Sequence, residues 1–143
     1  MQLLDAEKWK TKLSDGKRTG KLNLSYCDLP ELTATQISQI KTAVPNLHEL
    51  DLRSNSLTEL PDELAELRTL KSVKLNYNKF ERIPDILAEL PRLTNLEMGG
   101  NLITAVDEIV AQMPVIKELD LSGNQISSVH PSLGGVESLT FLN

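Results

Sequence analysis

Few residues of this 143-residue chain have chemistry to offer: one cysteine, Cys27, and two histidines, His48 and His130. A thiolate beside an imidazole would make a nucleophile, and imidazoles with a second thiol would make a zinc site. Gly16-Lys17 has the end of a phosphate-binding loop without its upstream glycine. Gly99-Gly100-Asn101 and Ser122-Gly123-Asn124 have the composition of glycine-rich loops. What any of these can do depends on the elements that hold them.

Those elements repeat. At a shift of 23 residues, Leu47, Leu70, Leu93, Ile116 and Leu139 fall in one column, and Leu50, Val73, Leu96, Leu119 and Leu142 in the next. Leu52, Leu75, Met98 and Leu121 follow, then Asn55, Asn78, Asn101 and Asn124. An earlier unit, Leu22, Leu24, Cys27 and Leu29, fits the same frame with a longer return before Leu47. The pattern is L-x-x-L-x-L-x-x-N-x-L, the leucine-rich repeat.

Each column has a physical task. Alternation at Leu50 and Leu52 predicts a short strand with both side chains pointing inward. Strands of successive repeats then stack in parallel into one sheet. The asparagine at the turn leaving each strand has two donors and an acceptor for backbone groups otherwise buried unpaired. Asn55, Asn78, Asn101 and Asn124 are therefore expected to form a structural ladder, with Cys27 in the same column as a packed residue rather than a nucleophile. The register also puts His48 beside a strand and His130 at a convex turn, too far apart to share a metal. The two glycine pairs fall in the turn slot, where a smooth curved sheet offers no pocket for catalysis.

The second half of each repeat carries apolar residues at threes and fours: Leu57, Leu60, Leu64 and Leu67, then Phe80, Ile83, Leu87 and Leu90. This predicts a helical return, with Pro61 and Pro84 just inside its start. Ile103, Val106, Val110 and Met113, then Ile126, Val129, Leu133 and Val136, keep the apolar set with Asp107 and His130 in the proline slot. In the first repeat, Thr33-Ala34-Thr35-Gln36 is a capping-box pattern before an α-helical stripe of Ile37, Ile40 and Val44.

The 23-residue unit with L-P-x-x-L-x-x-L on its convex side resembles the intracellular leucine-rich repeat proteins of the Ras-suppressor and plant Ras-group type, near Shoc-like and Scribble-like scaffolds. The resemblance spans about residues 19–143. It implies an α/β solenoid: a horseshoe with a parallel concave β-sheet and helical or 3-10 convex returns. It also implies protein binding on the concave sheet, often to small GTPases or phosphatases.

The expected organisation is a capping helix over 1–18, a divergent first repeat over 19–46, four 23-residue repeats over 47–138 and the start of a sixth over 139–143. Leu3, Ala6, Trp9 and Leu13 form one helical stripe, with Trp9 covering the first core layer. Ending at Asn143, within a strand, suggests a fragment of a longer protein, or an open end through which two copies associate.

Composition narrows the partner. Of the residues, 26 are leucine and 3% aromatic, and the formal charge is −5. Residues 1–21 carry a net +3 and residues 22–143 a net −8. An acidic array argues against nucleic acid. No apolar run approaches the ~20 residues that span a bilayer. The start lacks the basic and apolar stretches of a signal peptide, and one cysteine cannot make an intrachain disulfide, so a cytoplasmic setting is expected.

Strand positions between the leucines face the concave side. The expected partner-binding residues there are Tyr26, Glu49, Asp51, Arg53, Lys74, Asn76, Tyr77, Glu97, Glu118 and Asp120. Asp51, Lys74 and Glu97 share a column, which predicts alternate charges side by side. Glu97, Glu118 and Asp120 make the C-terminal half acidic, while Gly99, Gly100 and Gly123 leave room for approach. Tyr77, Arg53 and Tyr26 are of the types that anchor interfaces. The sequence thus reads as a cofactor-free, non-catalytic protein-binding module in intracellular signalling or scaffolding. The alternative is the recognition arm of a larger signalling enzyme or ubiquitin-ligase adaptor.

Overall fold

A computed structural model describes residues 4–131 and the backbone of 140–142. Each leucine pair closes a three-residue strand whose middle side chain is buried: β1 (Lys21–Asn23), β2 (Glu49–Asp51), β3 (Ser72–Lys74), β4 (Asn95–Glu97) and, after a convex strand β5 (Ala105–Val106), β6 (Glu118–Asp120). These strands pair in parallel, with Leu22, Leu50, Val73, Leu96 and Leu119 in register. The backbone of β8 (Thr140–Leu142) pairs with β6 and extends the sheet to six strands. Expectations for Leu3, Leu133, Val136, Leu139 and the side chains of the last strand lie outside the described residues.

Behind the sheet runs one apolar core, from Leu22 to Leu121, built almost entirely of leucine, isoleucine and valine. Phe80 is its largest fully buried side chain. The chain is an α/β solenoid whose returns shorten after the first. The first return is a full helix, α2 (Ala34–Ala43), whose capping box is formed: Thr33 Oγ1 accepts from Gln36 N at 3.1 Å, and Gln36 Oε1 accepts from Thr33 N at 2.9 Å. The next three are 3-10 turns, Asp62–Glu66, Asp85–Glu89 and Glu108–Gln112. Pro61 and Pro84 sit at the N-cap, one residue before the position expected for them. Asp107 fills the same slot and caps with its side chain, which accepts from Ile109 N at 3.3 Å.

A second sheet was not anticipated. On the convex side, β5 (Ala105–Val106) pairs in parallel with β7 (Ser128–Val129). The pair is tied by His130 N donating to Val106 O at 2.7 Å. His130 occupies the proline slot, and where that slot holds Pro61 or Pro84 no N–H exists to make the bond.

The N-terminal helix α1 (Ala6–Thr19) is capped by Asp5 and ended by Gly20 in the left-handed region at φ +77°. Its point of closest approach is Gly16, the helix's buried residue, where a Cβ would lie 3.2 Å from Val44 Cγ2. Trp9 is only half-buried; it leans on α2, donating from Nε1 to Gln39 Oε1 at 2.7 Å. Among the described residues no helix is long and apolar enough to cross a membrane.

Candidate protein-binding face

Beyond each strand the ladder runs on for two more residues, as Leu52 N donates to Lys74 O and Ser54 N to Asn76 O. The chain then turns through a left-handed residue in one column, Tyr26, Ser54, Tyr77, Gly100 and Gly123, with φ between +56° and +70°; the first repeat adds a second at Asp28, φ +57°. Two repeats thus place a tyrosine, and one a serine, in a column where the last two have glycine, and both tyrosine rings are 65% exposed. The ring of Tyr77 lies over the next repeat's glycine, since a Cβ on Gly100 would stand 2.5 Å from Tyr77 Cδ1.

The asparagines directly after this turn tie neighbouring repeats together. Asn55 Oδ1 accepts from Cys27 N and Leu29 N, while its Nδ2 donates to Leu24 O and Leu52 O. Asn78, Asn101 and Asn124 accept from Leu57 N, Phe80 N and Ile103 N, and each donates to carbonyls of its own and the preceding repeat. The Cys27 thiol is buried, with Sγ 3.4 Å from Ser25 O. Burial pushes its pKa up, more than Lys12 and Lys8 pull it down.

Family models described as leucine rich repeat match residues 45–103 and 116–136, together more than half of the chain. The chain is a leucine-rich repeat protein. Its repeats are similar in fold to a solved leucine-rich repeat protein of Leptospira interrogans, 22% identical with a TM-score of 0.68 over 100% of this chain. They are also similar to the leucine-rich repeat domain of the type III effector XopL, 17% identical with a TM-score of 0.65 over 93% of this chain. The chain spans 40% and 55% of the lengths of those two. No curated protein sequence matches it.

On the concave face of the repeat array the charges pair differently from the column arithmetic. Asp51 and Lys74 are in register, yet Lys74 Nζ reaches Glu49 Oε1 at 3.8 Å. Asp51 turns to Arg53 of its own strand exit, with Nε to Oδ1 at 3.0 Å and Nη2 to Oδ2 at 2.8 Å. Asp51 is consequently 5% exposed and presents no free carboxylate. Its hydrogen bond raises the Arg53 pKa further above its ordinary value, against a smaller opposing effect of burial, and Glu97 adds to the rise.

Asn76, expected to face a partner, is buried instead. Glu97, Glu118 and Asp120 form no ion pair with any described residue. Asp120 Oδ1 accepts from the Ser122 hydroxyl at 2.7 Å.

The structure therefore brings Tyr26, Arg53, Tyr77, Glu97, Glu118 and Asp120 to one accessible surface and withdraws Asp51 and Asn76. The histidines are placed apart in the fold: the His48 imidazole covers Gly20 just before β2, and His130 follows β7 on the convex side. Among the described residues no cluster of three potential metal ligands exists. Sequence reasoning missed Gly16 and the second sheet. A glycine inside a helical pattern was the available signal for the first.

Proposed function

We propose that the chain is a non-catalytic interaction module that binds a partner protein on its concave face, within intracellular signalling or scaffolding. The observation that carries this reading is the pair of exposed tyrosines held in the left-handed turn column. Non-glycine residues there cost ~1–2 kcal/mol each against the right-handed conformation. Strain of this kind persists where the surrounding structure over-determines it, and it concentrates at working sites. Small GTPases and phosphatases are the partner classes suggested by the Ras-suppressor-like repeat unit, and the single cysteine is consistent with a reducing, cytoplasmic setting.

The test is affinity capture with identification of the partner, then reconstitution with it purified. Tyr77→Ala combined with Arg53→Glu is expected to weaken capture about tenfold or more, the scale of an interface anchor. Unchanged capture by a variant with an unchanged melting temperature moves the site off this face.

A second reading, a recognition arm of a larger multidomain protein, draws support from XopL, whose similar region is described as a domain of an effector. A folded neighbouring domain in the parent reading frame, co-purifying with the same partner, would favour it.

A further inference from the structure

The cations of this acidic chain are not spread evenly over the solenoid. The four residues that precede each of β1, β2, β3, β4 and β6 span 17–20, 45–48, 68–71, 91–94 and 114–117. These positions hold Lys17, Arg18, Arg68, Lys71, Arg92 and Lys117 and not one aspartate or glutamate, in a chain whose acids outnumber its bases by 20 to 15. Arg18 is tied to Asp15 at 3.6 Å. The other five are exposed and form no ion pair with any described residue.

Parallel strands all enter the sheet from one side, so these residues fall along one edge of the array. The backbone stacks them in order: Lys71 O accepts from Thr94 N and Thr94 O from Lys117 N, both at 2.9 Å. Lys71 and Lys117 are thus two strand spacings apart, about 10 Å. The row is narrow. On its convex side the 3-10 turns carry Glu66, Glu89 and Glu108, and on its other side Glu97, Glu118 and Asp120 make the concave face acidic. A double helix or the plane of an anionic membrane laid on this edge would meet those acids as well as the cations, whereas a single extended chain can follow the row alone. No Phe, Tyr or Trp stands at the strand entries to stack on bases.

An apolar groove opens beside the row, between α2 and the turn Asp62–Glu66. Its volume is about 560 Å³, and its lining includes Val44, Pro45, Leu47, Ala65, Leu67 and Arg68. Pro45 is exposed and Ala65 half-buried, so the groove is open to an incoming side chain. Glu66 also borders it, with its charge met by Lys41 Nζ at 3.2 Å. Because Arg68 belongs to both groove and row, one ligand can use the two together. An aliphatic side chain suits the groove, and carboxylates suit the cations.

We propose that this edge is a second docking surface, which binds an acidic, extended polypeptide segment. Arg68, Lys71, Arg92 and Lys117 hold the segment's carboxylates, and the groove beside Arg68 takes an aliphatic side chain at one end of it. The surface does not rest on the concave reading, since neither Tyr77 nor Arg53 belongs to it.

The test uses the full chain and a fluorescent twelve-residue peptide of alternating glutamate and serine, with a leucine at one terminus or the other, followed by polarisation. Comparison peptides replace glutamate with arginine or leucine with alanine. One of the two leucine peptides is expected to bind, more weakly as salt rises, with the alanine peptide weaker and the arginine peptide weaker still. Lys71→Glu combined with Lys117→Glu should weaken binding about tenfold or more. Lys10→Glu combined with Lys79→Glu makes the same change in net charge at exposed, unpaired cations away from the row, and should leave binding within about twofold. All four substitutions are at exposed positions, so both variants should melt with the parent.

Failure of both leucine peptides to bind overturns the proposal, as does unchanged binding by the Lys71/Lys117 variant at an unchanged melting temperature. An equal loss in the Lys10/Lys79 variant would trace the attraction to net charge and overturn it too. Equal binding of the arginine or the alanine peptide does the same. Single-stranded polyuridylate and phosphatidylserine vesicles are the remaining arms. Tighter binding of either, lost in the Lys71/Lys117 variant, would assign the edge to nucleic acid or membrane instead.

Discussion

Gly100 sits at φ +68° beneath the ring of Tyr77, and the two conditions exclude side chains for different reasons. The left-handed backbone costs an L-residue ~1–2 kcal/mol, and overpacking against the ring adds typically ~1–3 kcal/mol. Gly100→Ala should therefore destabilise by about 2–5 kcal/mol in urea denaturation. In a Tyr77→Ala background the cost should fall to the backbone part alone; an undiminished cost would show that the ring does not press on this position. Cys27 gives a second test at this scale. Its pKa is raised by burial above the ordinary value of 9.0, so its contribution to stability is complete below that value. That contribution is lost as pH climbs through the folded-state value, where the buried thiol must ionise. Stability measured against pH should fall more steeply on the alkaline side for the parent than for Cys27→Ala, and the native thiol should alkylate far more slowly than the unfolded one.

At the scale of elements, α2 is held by its cap more than by its surface charge. The reciprocal Thr33–Gln36 bonds satisfy two amides of the first turn, and Thr33→Ala should cost about 1 kcal/mol. Lys41 pairs with Glu66 at 3.2 Å between two half-exposed side chains, and such pairs contribute ~0–1 kcal/mol. Denaturation of Lys41→Ala beside Thr33→Ala checks the order; a larger loss for Lys41→Ala would reverse it. The cap was legible because its residue types and spacing act locally, as were the strand leucines, whose alternation has one solution once one face is buried. The convex sheet was not, because it is made by backbone pairing, with His130 N donating to Val106 O, and the apolar pattern carries no sign of that bond. The concave site was half legible. Alternation places Asp51 and Asn76 on the outer face, but the chain bends into its left-handed turn just beyond, and there Arg53 folds back over Asp51. Period-2 reasoning holds only while the strand does.

Across the whole molecule, each repeat is buried against its two neighbours, so stability is a sum of unit and interface contributions with no single centre. Leu96 is fully buried in β4, between Val73 of β3 and Leu119 of β6. Leu96→Ala should cost about 2–5 kcal/mol through lost burial and the cavity left behind. The location of that loss is the sharper question. In a nearest-neighbour stack, weakening the β4 layer loosens its coupling to both sides, and the ends differ in what remains to hold them. Toward the N-terminus, α1, α2 and the layers of β1 to β3 still bury one another, with Gly16 of α1 against Val44. Beyond β4 the described array has the layer of β6, the backbone of β8 paired with it and the two-stranded convex sheet. Amide hydrogen exchange should show protection in Glu118–Asp120 falling before protection in Lys21–Asn23 and Glu49–Asp51, and by a larger factor. Equal loss at all three strands would mean that the array opens as one cooperative unit, and that the one-dimensional description fails at this length.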